Sequence, residues 1–110
     1  MNHQKPPDFD KDALEDALTS TDEKYLCDVL LSIALHHSDW EWAQNKCLEK
    51  LKSKSPGVRG LAATCLGHIA RIHGKLDRGR VVSTLMAHLS DGLIAGQVED
   101  ALEDIGIFLD

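Results

Sequence analysis

Three stretches of this chain carry the same apolar spacing at an offset of 36 residues: Leu26, Val29, Leu30 and Ile33; Ala62, Cys65, Leu66 and Ile69; Val98, Ala101, Leu102 and Ile105. Steps of three, one and three residues place each set on one face of an α-helix. A repeat length in this range is that of a stacked helical unit, which cannot bury its apolar face without a neighbour. The 110 residues accommodate three such units. The expected fold class is therefore all-α, with three antiparallel helix pairs stacked on one another and no sheet. Repeat folds of this kind offer extended surfaces, so binding is a more natural task for the chain than catalysis.

Start and stop signals divide the units. Residues 1–9 lack periodicity and contain Pro6-Pro7, which predicts a flexible N-terminal arm ahead of a single domain over 10–110. A first helix begins near Asp10 with Ala13, Leu14, Ala17 and Leu18 in phase. Ser20-Thr21-Asp22 then caps a second helix that runs to about His37. Ser38-Asp39 caps a third from Trp40 to about Lys52. Ser55 caps a fourth that has Pro56 at its first position, where proline's missing N–H costs nothing, and that ends near Gly74. A fifth helix is expected over Asp77 to Ser90, and Asp91-Gly92 is expected to open a sixth that reaches Phe108, after a turn shorter than that of the second unit. Gly60 and Gly96, also 36 apart, are read as interior helical glycines kept because a neighbouring backbone comes close.

Cysteine usage and charge narrow the class further. Cys27, Cys47 and Cys65 are odd in number and widely spaced, without a Cys-x-x-Cys, and Cys47 and Cys65 share the apolar phase of their helices. They read as free thiols, two of them core residues, in a reducing compartment. No apolar run approaches the ~20 residues of a membrane span and no signal-peptide core is visible, so a cytoplasmic location is expected. The net charge of −6 is unevenly spread. Residues 1–45 hold ten acids and three lysines, residues 46–80 nine bases and two acids, and residues 81–110 six acids and no base. The bases split between the turn inside the second unit (Lys50, Lys52, Lys54) and the turn leaving it (Lys75, Arg78, Arg80), on opposite edges of a stack, so they form no phosphate track and nucleic acid is not the expected partner.

Pairs of helices of this length, with Pro56-Gly57-Val58-Arg59 opening the second helix of the central unit, resemble HEAT-type repeats over residues 10 to 109. The resemblance implies three HEAT-like antiparallel pairs forming a short α-solenoid. Ser55 stands where an acidic residue is common, and Ala95 stands where the third unit would repeat Arg59, which interrupts the Asp–Arg ladder of longer arrays. The run Asp39-Trp40-Glu41-Trp42-Ala43-Gln44, followed by the stretch from Val58 to Gly74, is similar to small bacterial HEAT-like immunity proteins. Such proteins neutralise toxins delivered by neighbouring cells, as in contact-dependent growth inhibition. The resemblance implies a non-enzymatic inhibitor whose partner is a cognate toxin domain, with no cofactor, no membrane and no nucleic acid, and a monomer or weak dimer when free. The other functions weighed are an intracellular HEAT-like adaptor or scaffold and an accessory subunit of a HEAT-like lyase.

The candidate interface follows from helical phase. The second helix of each pair lines the inner face of a stack, and its outward columns are Asp28, Thr64 and Asp100; Leu31, Gly67 and Glu103; Ser32, His68 and Asp104; Leu35, Arg71 and Ile107. Leu31, Leu35 and Ile107 supply apolar ground, His68 and Arg71 a polar centre, and Asp28, Asp100, Glu103 and Asp104 an acidic rim, a combination that suits a basic partner. Trp40 falls in the core phase of its helix. Trp42 falls on the opposite side with Lys46 and Glu49, and is expected to be largely exposed, a candidate binding anchor. A toxin acting on RNA has a basic cleft, which an acidic inhibitor can cover.

The remaining chemistry lacks its minimal motifs. His36 and His37 are adjacent and face apart, no His-Glu-x-x-His occurs, and Cys65 with His68 would make only two ligands, so no metal site is expected. Glu99, Asp100, Glu103 and Asp104 lie on one exposed helical face, which offers no cleft to separate an acid from a base. Neither a glycine-rich phosphate loop nor a nucleophile elbow is present.

Overall fold

The computed structural model describes residues 10–109, and the expected arm over residues 1–9 lies outside them. Those residues form six α-helices and no strand: α1 (Lys11–Ala17), α2 (Glu23–His36), α3 (Trp40–Lys50), α4 (Pro56–His73), α5 (Arg78–Ala87) and α6 (Ala95–Phe108). Four of the capping signals act as the residue types dictate. The side chains of Asp10, Asp22, Asp39 and Ser55 accept hydrogen bonds from the backbone N–H groups of Ala13, Tyr25, Trp42 and Val58, satisfying donors that the first helical turn leaves without partners. Gly74 ends α4 in the left-handed conformation, at φ 62°, where a side chain would be strained.

α4 is the central element. It packs against α2 on one side, α6 on the other and α3 along a third, while α5 rests on α6 and α1 on α2. The result is a slab of 47 × 34 × 17 Å, thin along one axis. The repeated apolar positions meet inside it: Leu30, Ile33, Ala62, Cys65, Leu66, Ile69, Val98, Ala101 and Ile105 are buried. Val29 and Leu102 are half-buried. Cys47 and Cys65 are free and fully buried, and the Cys65 thiol beside it, together with burial, holds Cys47 well above the ordinary thiol range.

Where α4 meets α6 the contact depends on a residue without a side chain. A Cβ added to Gly67 would lie 2.9 Å from an Asp104 carboxylate oxygen and 3.3 Å from the Ala101 Cα. Gly67 is thus buried beneath α6 rather than open on the inner face. A Cβ added to Gly60 would meet the Gln97 side chain at 2.9 Å, not a backbone, and one added to Gly96 would meet nothing within 4 Å. Close backbone approach therefore explains Gly67, not the pair Gly60 and Gly96. Gly96 carries little helical cost for another reason: α6 begins at Ala95, so Gly96 sits in its first turn.

That late start corrects the expected boundary. α5 ends at Ala87, α6 starts at Ala95, and the connection between them is longer than the one joining α3 to α4. Asp91 does not cap α6. One of its carboxylate oxygens accepts from the Leu93 backbone N–H at 3.1 Å, and the other pairs with Arg59 Nε at 3.0 Å. Arg59 also donates to the carbonyls of Ser53 and Lys54, both at 3.1 Å. An Arg–Asp bridge between the turns of the second and third units is therefore present, supplied from a loop position that a strict 36-residue offset misses. Gln44, buried, makes a second tie: its side-chain oxygen accepts from the Asp77 backbone N–H at 2.6 Å and fixes the start of α5 on α3.

Candidate protein-interaction face

One surface is formed by the row α2–α4–α6, whose buried stripes face neighbouring helices and whose remaining positions face out. In α4 the outward stripe is Leu61, Thr64, His68, Arg71 and Ile72, spaced by three and four residues, as the burial of the intervening positions requires. Arg71 and His68 form its centre, with a guanidinium nitrogen 2.9 Å from His68 Nδ1. Since a guanidinium only donates, Nδ1 is the acceptor, and His68 carries its proton on Nε2. Partial burial, then the Arg71 charge, depress the His68 pKa, and the Asp104 carboxylate on α6 pulls it the other way. His68, Arg71 and Asp104 thus share one neighbourhood between α4 and α6.

The acids flank this centre on both sides. Asp100 and Glu103 are exposed on α6, and among the described residues neither meets a cation at ion-pair distance, while Asp104 is half-buried. On α2, Asp28 is exposed and held by Lys24 at 3.2 Å, a pair too solvated to remove its charge from the surface. Leu31 and Leu35 are half-buried and give the α2 side its apolar ground. Ile107, near the end of α6, is 64% exposed. Nine of the ten candidate residues therefore lie on this row of helices.

Trp42 does not. It is half-buried where α1 meets α3, and the expectation of an exposed ring fails because α1 covers it. Its indole N–H donates to Glu15 at 3.3 Å, and the His37 ring lies 4.7 Å from it, tilted by 38°. The ammonium groups of Lys11 and Lys46 stand 5.6 and 5.7 Å from the ring centroid. Lys46, expected on the solvated side, is buried and ion-paired to Glu15 at 2.8 Å and to Glu49 at 3.3 Å. Burial pulls its pKa down, but the two carboxylates outweigh that and leave it raised. Glu15 is correspondingly lowered, first by the hydrogen bond from Lys46. The phase of α3 alone could not reveal this seam, because phase does not say whether another helix, here α1, lies over that side. Trp40, assigned to the core, is half-buried against it at the start of α3.

No three His, Cys, Asp or Glu side chains among the described residues come together in a way that could hold a metal ion. No described helix is long and apolar enough to cross a membrane.

Among solved structures, the crystal structure of a CDI complex from Cupriavidus taiwanensis LMG 19424 contains a chain 32% identical to this one, with a TM-score of 0.82. The alignment covers 98% of this chain and 97% of that one. This chain belongs to the family of that CDI-complex subunit. No family model matches the sequence, and no curated protein does. Near-complete coverage in both directions means that the likeness extends over all six helices rather than one helical pair.

Proposed function

We propose that this protein is an immunity protein of the contact-dependent growth inhibition type, a non-enzymatic inhibitor that acts in the cytoplasm on a cognate toxin domain. The observation that carries the reading is the full-length likeness to a subunit of a CDI complex. The six helices are read as three HEAT-like pairs in a short α-solenoid, in which α2, α4 and α6 form the inner layer. The inner face is the binding surface, with Asp28, Asp100, Glu103 and Asp104 as an acidic rim, Leu31, Leu35 and Ile107 as apolar contacts, and His68 and Arg71 at its centre. Its charge suits a basic toxin, and an RNA-degrading domain presents such a cleft, which the rim would fill in place of phosphates. The free protein is a monomer or weak dimer.

Co-expression with the toxin domain encoded beside its gene is the direct test: growth should be rescued, and the two chains should co-purify. Reversing Asp100 and Asp104 to lysine should then slow association and flatten its dependence on salt without loss of the fold. Rescue by the wild type with affinity unchanged by both reversals would move the epitope off the inner face while leaving the immunity reading in place. Failure of the wild type to bind or protect would overturn that reading itself.

A further inference from the structure

A recess of 410 Å³ opens at the edge of the slab where α4 and α6 end, on residues that belong neither to the inner face nor to the α1–α3 seam. Its walls come from three separate elements: Trp40 at the start of α3; Lys75, Leu76 and Arg78 around the α4–α5 connection; and Phe108 and Leu109 at the end of α6. The left-handed Gly74 turns the chain sharply enough to bring Lys75 and Leu76 beside the other two walls. Phe108 remains 42% exposed although it is large and apolar. Lys75 and Arg78 are exposed, and among the described residues neither meets a carboxylate at ion-pair distance. A guanidinium nitrogen of Arg78 lies 3.5 Å from the Leu109 carbonyl oxygen, which holds the charge at the rim.

We propose that this recess docks an acidic, aromatic-bearing segment of a partner protein, the ring entering between Trp40 and Phe108 and a flanking carboxylate meeting Arg78 and Lys75. The open recess has room for one large side chain, and the pairing of aromatic walls with a guanidinium rim has the composition of an interface anchor point. Charge decides between a peptide and a nucleic acid. Two cations in one recess can neutralise one or two carboxylates, but they form no path for a phosphodiester chain. The proposal does not depend on the immunity reading, because the lining of the recess lies apart from the candidate inner face.

The test uses the full chain carrying Trp42→Phe, which leaves Trp40 as the one tryptophan reporter. It is titrated with a short capped peptide that has phenylalanine between two aspartates. The expected result is a saturable change in Trp40 emission, weakened about tenfold or more by Lys75→Ala with Arg78→Ala and also by replacing the peptide's phenylalanine with alanine. Both substituted lysine and arginine side chains are exposed, and an unchanged circular dichroism melt confirms that the loss is one of binding. No response to the peptide at millimolar concentration overturns the proposal. So does equal binding by the doubly substituted protein, or tighter binding of ATP or a uridine oligonucleotide than of the peptide.

Discussion

α4 and α5 follow one another in the chain and carry apolar residues at similar helical spacing, but they meet different surroundings. α4 lies between α2 and α6 and rests on α3, so Ala62, Ala63, Leu66, Ile69 and Ala70 are completely buried. α5 leans on α6; Val81 and Leu85 are buried, Val82 is half-covered, and Met86 is 57% exposed. The difference lies in the number of neighbours rather than in apolar content, as expected of units that cannot cover their own faces. Among the described helices α5 packs mainly on α6, so its far flank is left exposed.

The largest expected effect tests the α4 side. Leu66→Ala should lower unfolding stability by about 2–5 kcal/mol, since it empties a site with little freedom to collapse. Urea denaturation measures this, and an unchanged midpoint would remove α4 from the centre of the core. Asp91→Ala should cost about 1–3 kcal/mol, because it leaves the Arg59 guanidinium, whose side chain is only 17% exposed, without its carboxylate. Asp91→Asn should recover part of the loss by keeping an acceptor. A negligible cost for Asp91→Ala would show that the third unit is held to α4 by apolar contact alone.

The α1–α3 seam should respond to pH at both ends of the range. Glu15 is lowered mainly by Lys46, and Asp39 by the Lys11 ammonium and then the Trp42 backbone N–H, so their stabilisation is complete above the ordinary carboxylate range and is lost as the pH falls through their depressed values. Lys46 is raised, so its share is complete below the ordinary ammonium value and is lost in strong alkali. Trp42 fluorescence in a Trp40→Phe background should therefore hold a plateau through neutral pH and shift in acid before global unfolding. Emission that changes only with global unfolding would mean that α1 is not a separately held element. The smallest effect belongs to α5: Met86→Ser should change stability by no more than about 0.5 kcal/mol. A larger loss, or one that depends on protein concentration, would show that the exposed flank is covered in solution.

Much of the helical layout was legible because it rests on local chemistry. The 36-residue apolar register and the caps at Asp22, Asp39 and Ser55 act within a few residues of themselves, and the helices start where those side chains accept their N–H groups. The start of α6 was not legible in this way, since Asp91 divides its carboxylate between the Leu93 N–H of the preceding turn and Arg59, 32 residues earlier in the chain, and the helix begins only at Ala95. Trp42 and Lys46 were misplaced for a related reason. Helical phase says which residues share a side, but not whether another helix lies over that side. The inner-face residues could be grouped by phase because α2, α4 and α6 run side by side, whereas the recess around Trp40 and Phe108 joins three elements distant in sequence and carries no periodic signal.

The position of α4 also bears on how the protein is made. Residues 56–73 stand at the middle of the chain, and the apolar faces of α2 and α3 close largely against them. During synthesis, Leu30, Ile33, Cys47 and Leu51 therefore leave the ribosome well before the helix that shelters them, and stable structure is expected to form once α4 has emerged. A chain arrested before α4 would present an unprotected apolar surface and two unshielded thiols, whereas one arrested after it would still expose the α4 face that α6 covers, so shelter is complete only once the last helix has emerged.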